Sequence, residues 1–155
     1  MASILEPYVG TAAVAVQGDP EWHTAALIST EGNRWSRPAQ PTIYLAGDPS
    51  LALAELARHL PADESIPPAW VWTVEVRLDA VVDLQGDDSA WILDAERCRD
   101  VASDLRERGA DGLIVPSVAF LDRPDRWNLV IFAERIGELD RAISDPNRLL
   151  SIRPG

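Results

Sequence analysis

Four side chains stand out for the chemistry their types allow. Arg34, Tyr44 and Glu55 fall within one stretch, Gly32 to Leu60, and Ser117 lies far along the chain behind a proline. A guanidinium forks onto phosphate or carboxylate. A phenol offers a ring face with a polar tip, a carboxylate steadies developing positive charge, and a hydroxyl both donates and accepts. Each also has a plain structural reading: Arg34 as a loop brace, Tyr44 as core, Glu55 as a solvated helix residue and Ser117 as a loop hydroxyl capping a backbone group. The chain has no phosphate loop, dinucleotide glycine fingerprint, His-Glu-x-x-His or nucleophile elbow. Local pattern alone therefore supports no more than a soluble α+β domain.

The elements that must position these residues are legible in outline. The loop from Gly32 to Pro41 holds two prolines and two arginines and reads as structured. Thr42–Ala46 has the composition of a short strand, and Gly47 turns the chain. Asp48 is a good helix N-cap and Pro49 suits the first helical position, so a helix is predicted to about Leu60, where Pro61 stops it. Its predicted apolar stripe is Leu53, Leu56, Ala57 and Leu60, which places Glu55 on roughly the opposite side, near Leu51, Arg58 and His59.

Before that stretch, Tyr8–Val16 reads as a strand or buried segment, and His23–Thr30 as a strand ended by Glu31-Gly32-Asn33. After it, Trp70–Leu78 alternates as a half-buried strand, Ala80–Leu84 is a second apolar run, and Gln85–Asp88 is a turn. Asp94–Arg108 is predicted helical, with Cys98, Val101, Ala102 and Leu105 as the buried stripe and Gly109 at the C-terminal cap position. Gly112–Pro116 is a buried strand leading to Ser117, Asp122–Arg126 a hairpin-like loop, and Asn128–Ala133 a strand. A short helix is predicted from Gly137 before Pro146. Helices and strands are interspersed without a regular βαβ rhythm, which predicts an α+β fold with a mixed central sheet flanked by helices.

At 155 residues the chain is expected to form a single domain over 1–155, with its motifs in about 23–134. A net charge of −11 argues against nucleic acid as the main partner and against an anionic membrane surface. It fits a basic protein partner, and it leaves room for an anionic small substrate held by a few arginines. The single cysteine, Cys98, excludes an intramolecular disulfide, and the two histidines, His23 and His59, lack metal-site spacing, so no metal is expected. No signal peptide and no apolar run of about 20 residues is present, so a cytoplasmic location is expected.

The segments Asn33-Arg34-Trp35-Ser36, Pro41–Ala46 and Ala52-Leu53-Ala54-Glu55-Leu56 resemble the opening block of the RES-domain family. In that family a Gly-Gly-Arg-Trp-Asn block is followed by a strand Tyr and then Ala-x-x-Glu in a helix. Gly109–Ser117 resembles the segment carrying the family's serine, and Asn128–Phe132 the strand after it. The resemblance covers Gly32 to Phe132, and its specificity lies in the ordered combination.

The resemblance implies a toxin paired with an Xre-type helix-turn-helix antitoxin, with a fold like that of ADP-ribosyltransferases. It implies NAD as substrate, consumed by hydrolysis or phosphorolysis of the nicotinamide–ribose bond. Transfer of ADP-ribose to a protein and a catalytically degenerate binding module are the alternatives, and a homodimer is left open. It also implies roles: Arg34 for the pyrophosphate, Tyr44 for the nicotinamide ring, Glu55 for the ribose, and Ser117 as a non-covalent donor to phosphate or ribose. Trp35 and Asn128 are expected to be structural support. The chain departs from the pattern at Asn33 and Ser36. It also has no Arg or Lys before Glu31, where many members carry an early Arg; His23 and Arg37 are the candidates to replace it.

Overall fold

The longest element follows from the longest alternating run. In the computed structural model, which describes residues 4–18, 20–58, 68–86, 89–123 and 125–152, the two apolar runs after residue 68 form one strand. This strand, β3 (Ala69–Asp83), follows β1 (Glu6–Gln17) and β2 (Thr42–Ala46) and precedes β4 (Gly112–Pro116), β5 (Trp127–Phe132) and β6 (Ile143–Ile152). The helices are α1 (Pro49–Arg58), α2 (Ala95–Glu107) and the short α3 (Leu139–Ala142).

The strand order is β1-β2-β5-β4-β3-β6, and β1 also pairs with β3, so five strands close on themselves as a small barrel with β6 beside β3. All pairings are antiparallel except β3 with β4, where Val81 faces Gly112. The sheet is therefore mixed and helices flank it, as the sequence predicts. Closure removes free edges from most of the sheet.

The two-residue period of β2 and β5 sorts their side chains onto two faces. Ile43, Leu45, Leu129 and Ile131 point inward with Val74, Val76 and Leu78 of β3. Tyr44 faces Val130 and Ala46 faces Asn128 across the ladder, all on the outer side. There α2 lays Cys98, Ala102 and Leu105 over Leu113, Val115, Val130 and Phe132. Gly112 is tied to this ladder: a Cβ there would stand 2.5 Å from the Val130 carbonyl oxygen, so only glycine lets β4 approach β5 so closely.

Arg106 braces the same face. It is 6% exposed, and its Nη2 donates to Thr42 Oγ1 at 2.6 Å. It pairs with Glu134 and stacks over the Phe132 ring at 4.1 Å. The C-terminal half of α2 is thereby locked to β2 and to the turn after β5.

Two local expectations, the His23–Thr30 strand and the apolar stripe of α1, are corrected, while the short helix expected before Pro146 is present as α3. The predicted strand His23–Thr30 is a 3-10 turn at Thr24–Leu27, closed by Ala26 and Ile28 amides on the His23 and Ala25 carbonyls; only Ser29 bridges to Thr42. Ser89–Leu93 forms its own 3-10 turn, because Asp94 caps α2 by accepting from the Glu96 and Arg97 amides. The tail continues past α3 into β6 despite Pro146, since a register shift between Thr73 and Glu75 absorbs Asp145 and Pro146 in a bulge. In α1 the buried residues are Leu51 and Ala52, which meet Ala13 and Ala46, whereas Ala57 is exposed. A floor of alanines receives the first turn of α1 closely, so Leu51 rather than Leu53 sets the inward face. His59, Leu60 and the predicted loop over 61–67 lie outside the described residues.

Candidate active site

The rotation of α1 brings Glu55 inward, one turn above Leu51. It faces a cleft of about 450 Å³ on the outer side of the barrel. Ala13, Ala15, Tyr44, Ala46, Asn128 and Val130 contribute the floor. On one side, α1 adds Ala52, Glu55, Leu56 and Arg58. Opposite it stand Asn33, Arg34 and Trp35 of the loop before β2, with Ala95 and Arg99 of α2.

Glu55 is held from the floor. Asn128 Nδ2 donates to its Oε1 at 2.8 Å and to the Leu45 carbonyl at 3.2 Å. Asn128, expected as structural support, is thus the residue that fixes the candidate carboxylate. Asp48 secures the start of α1: its Oδ1 accepts the Leu51 amide at 2.9 Å, and Arg126 bridges to its carboxylate at 3.1 Å. Burial raises the Asp48 pKa, but the Ser50 hydroxyl, the Leu51 amide and the Arg126 charge outweigh it and hold the group below the usual aspartate range.

The loop that carries Arg34 is pinned on itself. Asn33 and Ser36 exchange backbone bonds at 2.8 and 3.3 Å, which leaves Arg34 and Trp35 at the tip. Trp35 is buried edge-on against Trp91, 5.8 Å between ring centroids. Arg34 Nη1 donates to the Ile92 carbonyl at 2.6 Å, so its guanidinium is anchored from behind while lining the cleft.

Tyr44 shares a 2.6 Å hydrogen bond between its phenol and Ser36 Oγ. Burial pushes the phenol pKa up, against the pull of Ser36 and of the Arg106 charge. Ser36 stands where the family pattern has Asn, and it ties the loop to the strand.

Arg34, Tyr44 and Glu55 therefore meet in one cleft. Ser117 does not line it. Its neighbours Pro116 and Val118 do, while Ser117 is fully buried and its Oγ has no hydrogen-bond partner among the described residues. Neither suggested replacement for an early arginine reaches the cleft. Arg37 pairs with Glu96 at 3.1 Å and with Asp100, facing a neighbouring depression, and His23 begins the 3-10 turn. The cations beside Arg34 in the cleft are Arg58 and Arg99, and sequence reasoning gave Arg99 no place. The available signal was its helical position, next to Cys98 on the flank of the buried stripe. No group of three or more His, Cys, Asp or Glu among the described residues could hold a metal. No helix among them is long and apolar enough to cross a membrane.

The chain belongs to the RES-domain family, whose model matches residues 13–151. No curated protein sequence matches it. Among solved structures, a chain of the M. tuberculosis MbcT–MbcA toxin–antitoxin complex is similar in fold, with a TM-score of 0.70 at 19% identity, over 94% of this chain and 87% of that one.

Proposed function

We propose that this protein is the toxin of a toxin–antitoxin pair, and that its cleft binds NAD and cleaves the nicotinamide–ribose bond by hydrolysis or phosphorolysis. The observation that carries the reading is the Glu55 carboxylate, held by Asn128 at 2.8 Å in the same cleft as Arg34 and Tyr44. Membership of the RES-domain family supports it.

The chemistry asks for that set. The nicotinamide ring of NAD is cationic and takes the bonding pair as it leaves, so it departs neutral and needs no proton. The barrier is the oxocarbenium-like charge that develops on the ribose. Glu55 meets that charge and accepts from a ribose hydroxyl, already oriented by Asn128 before the substrate arrives. Arg34 takes the pyrophosphate. Tyr44 packs against the nicotinamide ring. Water or inorganic phosphate then bonds to the ribose carbon; water loses a proton to give ADP-ribose, and phosphate gives its 1-phosphate ester. Ser117, fully buried behind Pro116 and outside the cleft lining, is given no contact with the substrate in this reading.

The toxin reading also names the partner, an Xre-type helix-turn-helix antitoxin. The −11 net charge suits association with a basic surface.

The test is release of nicotinamide from NAD by the purified chain. Wild type is expected to release it, and Glu55→Ala to lower kcat by at least about 100-fold, the scale of losing one preorganised charge-stabilising group. NAD labelled in the adenosine moiety separates soluble ADP-ribose products from label fixed on protein. If wild type leaves NAD intact, the reading fails.

A further inference from the structure

The floor and the two sides of the cleft differ in charge. β1 contributes Ala13, Val14 and Ala15, and it carries no Arg or Lys along its length. The α1 side carries Glu55, with Arg58 at the exposed end of the helix. The side formed by the loop and α2 carries Arg34 and Arg99.

Arg99 is built into that wall. Its Nη2 pairs with Glu96 Oε2 at 2.9 Å, one helical turn earlier. Its Nη1 reaches the Asn33 carbonyl at 3.5 Å, the residue directly before Arg34. The side chain thus spans from α2 to the tip of the Arg34 loop. Glu96 does not cancel it alone, because its other oxygen accepts from Arg37 at 3.1 Å, and Arg37 also pairs with Asp100. Those four charges sum to zero, and Arg34 adds a positive one. Burial pushes the Cys98 thiol up, while the Arg34 hydrogen bond and then the Arg34 and Arg99 charges pull the other way. Arg34 and Cys98 meet at the Ile92 carbonyl, which accepts from Arg34 Nη1 at 2.6 Å and from Cys98 Sγ at 3.3 Å.

We propose that Arg99 is the second cation of a diphosphate subsite, acting with Arg34 on the α2 side while Glu55 serves the ribose across the floor. The inference rests on the NAD reading above and adds the residue that completes its anion end. A diphosphate brings two negative charges onto a floor rich in alanine. One guanidinium has too few donors for the oxygens of both phosphates, and leaving them unpaired away from water is costly. Two forked cations lining one cleft supply paired donors to both phosphates. The polarity of the cleft, cationic at α2 and anionic at Glu55, then runs in the same sense as the ligand from diphosphate to cationic nicotinamide ribose.

The experiment uses the full chain, freed of any bound partner, as wild type, Arg99→Ala and Arg99→Lys. Calorimetry gives Kd for ADP-ribose and for nicotinamide, and steady-state kinetics gives KM and kcat for NAD. Arg99→Ala is expected to raise the KM for NAD and the Kd for ADP-ribose about 10- to 100-fold, the range for one charge-assisted contact. Its kcat stays within about twofold and its Kd for nicotinamide is unchanged, the pattern of lost uniform binding. Arg99→Lys recovers part of the loss, because it keeps the charge without the fork. If wild type binds ADP-ribose and consumes NAD while Arg99→Ala matches it, the assignment of Arg99 is overturned and the NAD reading stands. Equal loss of nicotinamide and ADP-ribose affinity overturns it as well, since that marks a structural role. A wild type that does neither overturns both.

Discussion

Removing Glu134 should harm this protein more than removing Arg106, although Arg106 is the larger and more buried of the two. Arg106 is 6% exposed, whereas the Glu134 side chain is 39% exposed. Glu134→Ala leaves a guanidinium between Thr42 Oγ1 and the Phe132 ring with no counter-charge. Breaking a buried pair from one side costs about 3–5 kcal/mol. Water enters from the Glu134 side, so about 2–3 kcal/mol is the appropriate figure here. Arg106→Met leaves instead a carboxylate that water already reaches, and the methionine keeps most of the packing on Phe132. Thr42 Oγ1 retains its bond to the Gln40 carbonyl at 3.0 Å. That substitution should cost about 1 kcal/mol, the net worth of an ordinary hydrogen bond. The double variant should be more stable than Glu134→Ala alone. Urea unfolding at neutral pH reads the difference: with m of about 1–3 kcal/mol/M, Glu134→Ala lowers the midpoint by about 0.7–3 M. A larger midpoint loss for Arg106→Met than for Glu134→Ala would refute the argument.

Two further substitutions probe the frame around Glu55. Asn128→Ala removes the bonds to Glu55 and to the Leu45 carbonyl; on the proposed activity kcat should fall about 10- to 100-fold, with the Kd for ADP-ribose held within about threefold. Steady-state kinetics and calorimetry would separate the two, and an unchanged kcat would deny Asn128 its positioning role. Asp48→Ala should cost about 1 kcal/mol of stability at neutral pH through loss of the α1 cap. The Asp48 pKa is depressed by folding, so this contribution is fully present above the ordinary aspartate pKa and disappears as pH falls through the folded value. Urea midpoints of both proteins across that range should converge at the acid end, and a gap that widened there would contradict the sign.

Much of the frame was readable because local composition and final environment agree. The runs Thr42–Ala46 and Asn128–Ala133 read as strands and correspond to β2 and β5, and the stripe of Cys98, Ala102 and Leu105 within Asp94–Arg108 predicts α2 well. The inward face of α1 was not readable. Counting leucines selects Leu53 and Leu56, but the partner surface is alanine, and it accepts the first turn through Leu51 and Ala52. β6 was hidden by Pro146, whose tolerance depends on a bulge formed only against β3.

The candidate site divides in the same way. Arg34, Tyr44 and Glu55 were reachable through an ordered family pattern, and all three line the cleft. Ser117 came from the same pattern yet lies beneath the lining. The contacts Ser36–Tyr44 and Asn128–Glu55, and the approach of Arg99 to Asn33, depend on how separate elements dock, and no spacing rule encodes them.

The alanines of β1 and β2 have one more consequence. Ala13, Ala15 and Ala46 form part of the cleft floor, and Ala13 and Ala46 also form the bed on which α1 rests. A single methyl group at each position therefore acts as a spacer gauge for two dimensions at once. Enlarging one would lift the helix that bears Glu55 and make the basin shallower in the same step. Divergence among relatives in the size of molecule they admit could then arise from silent-looking aliphatic exchanges, with every polar group left in place.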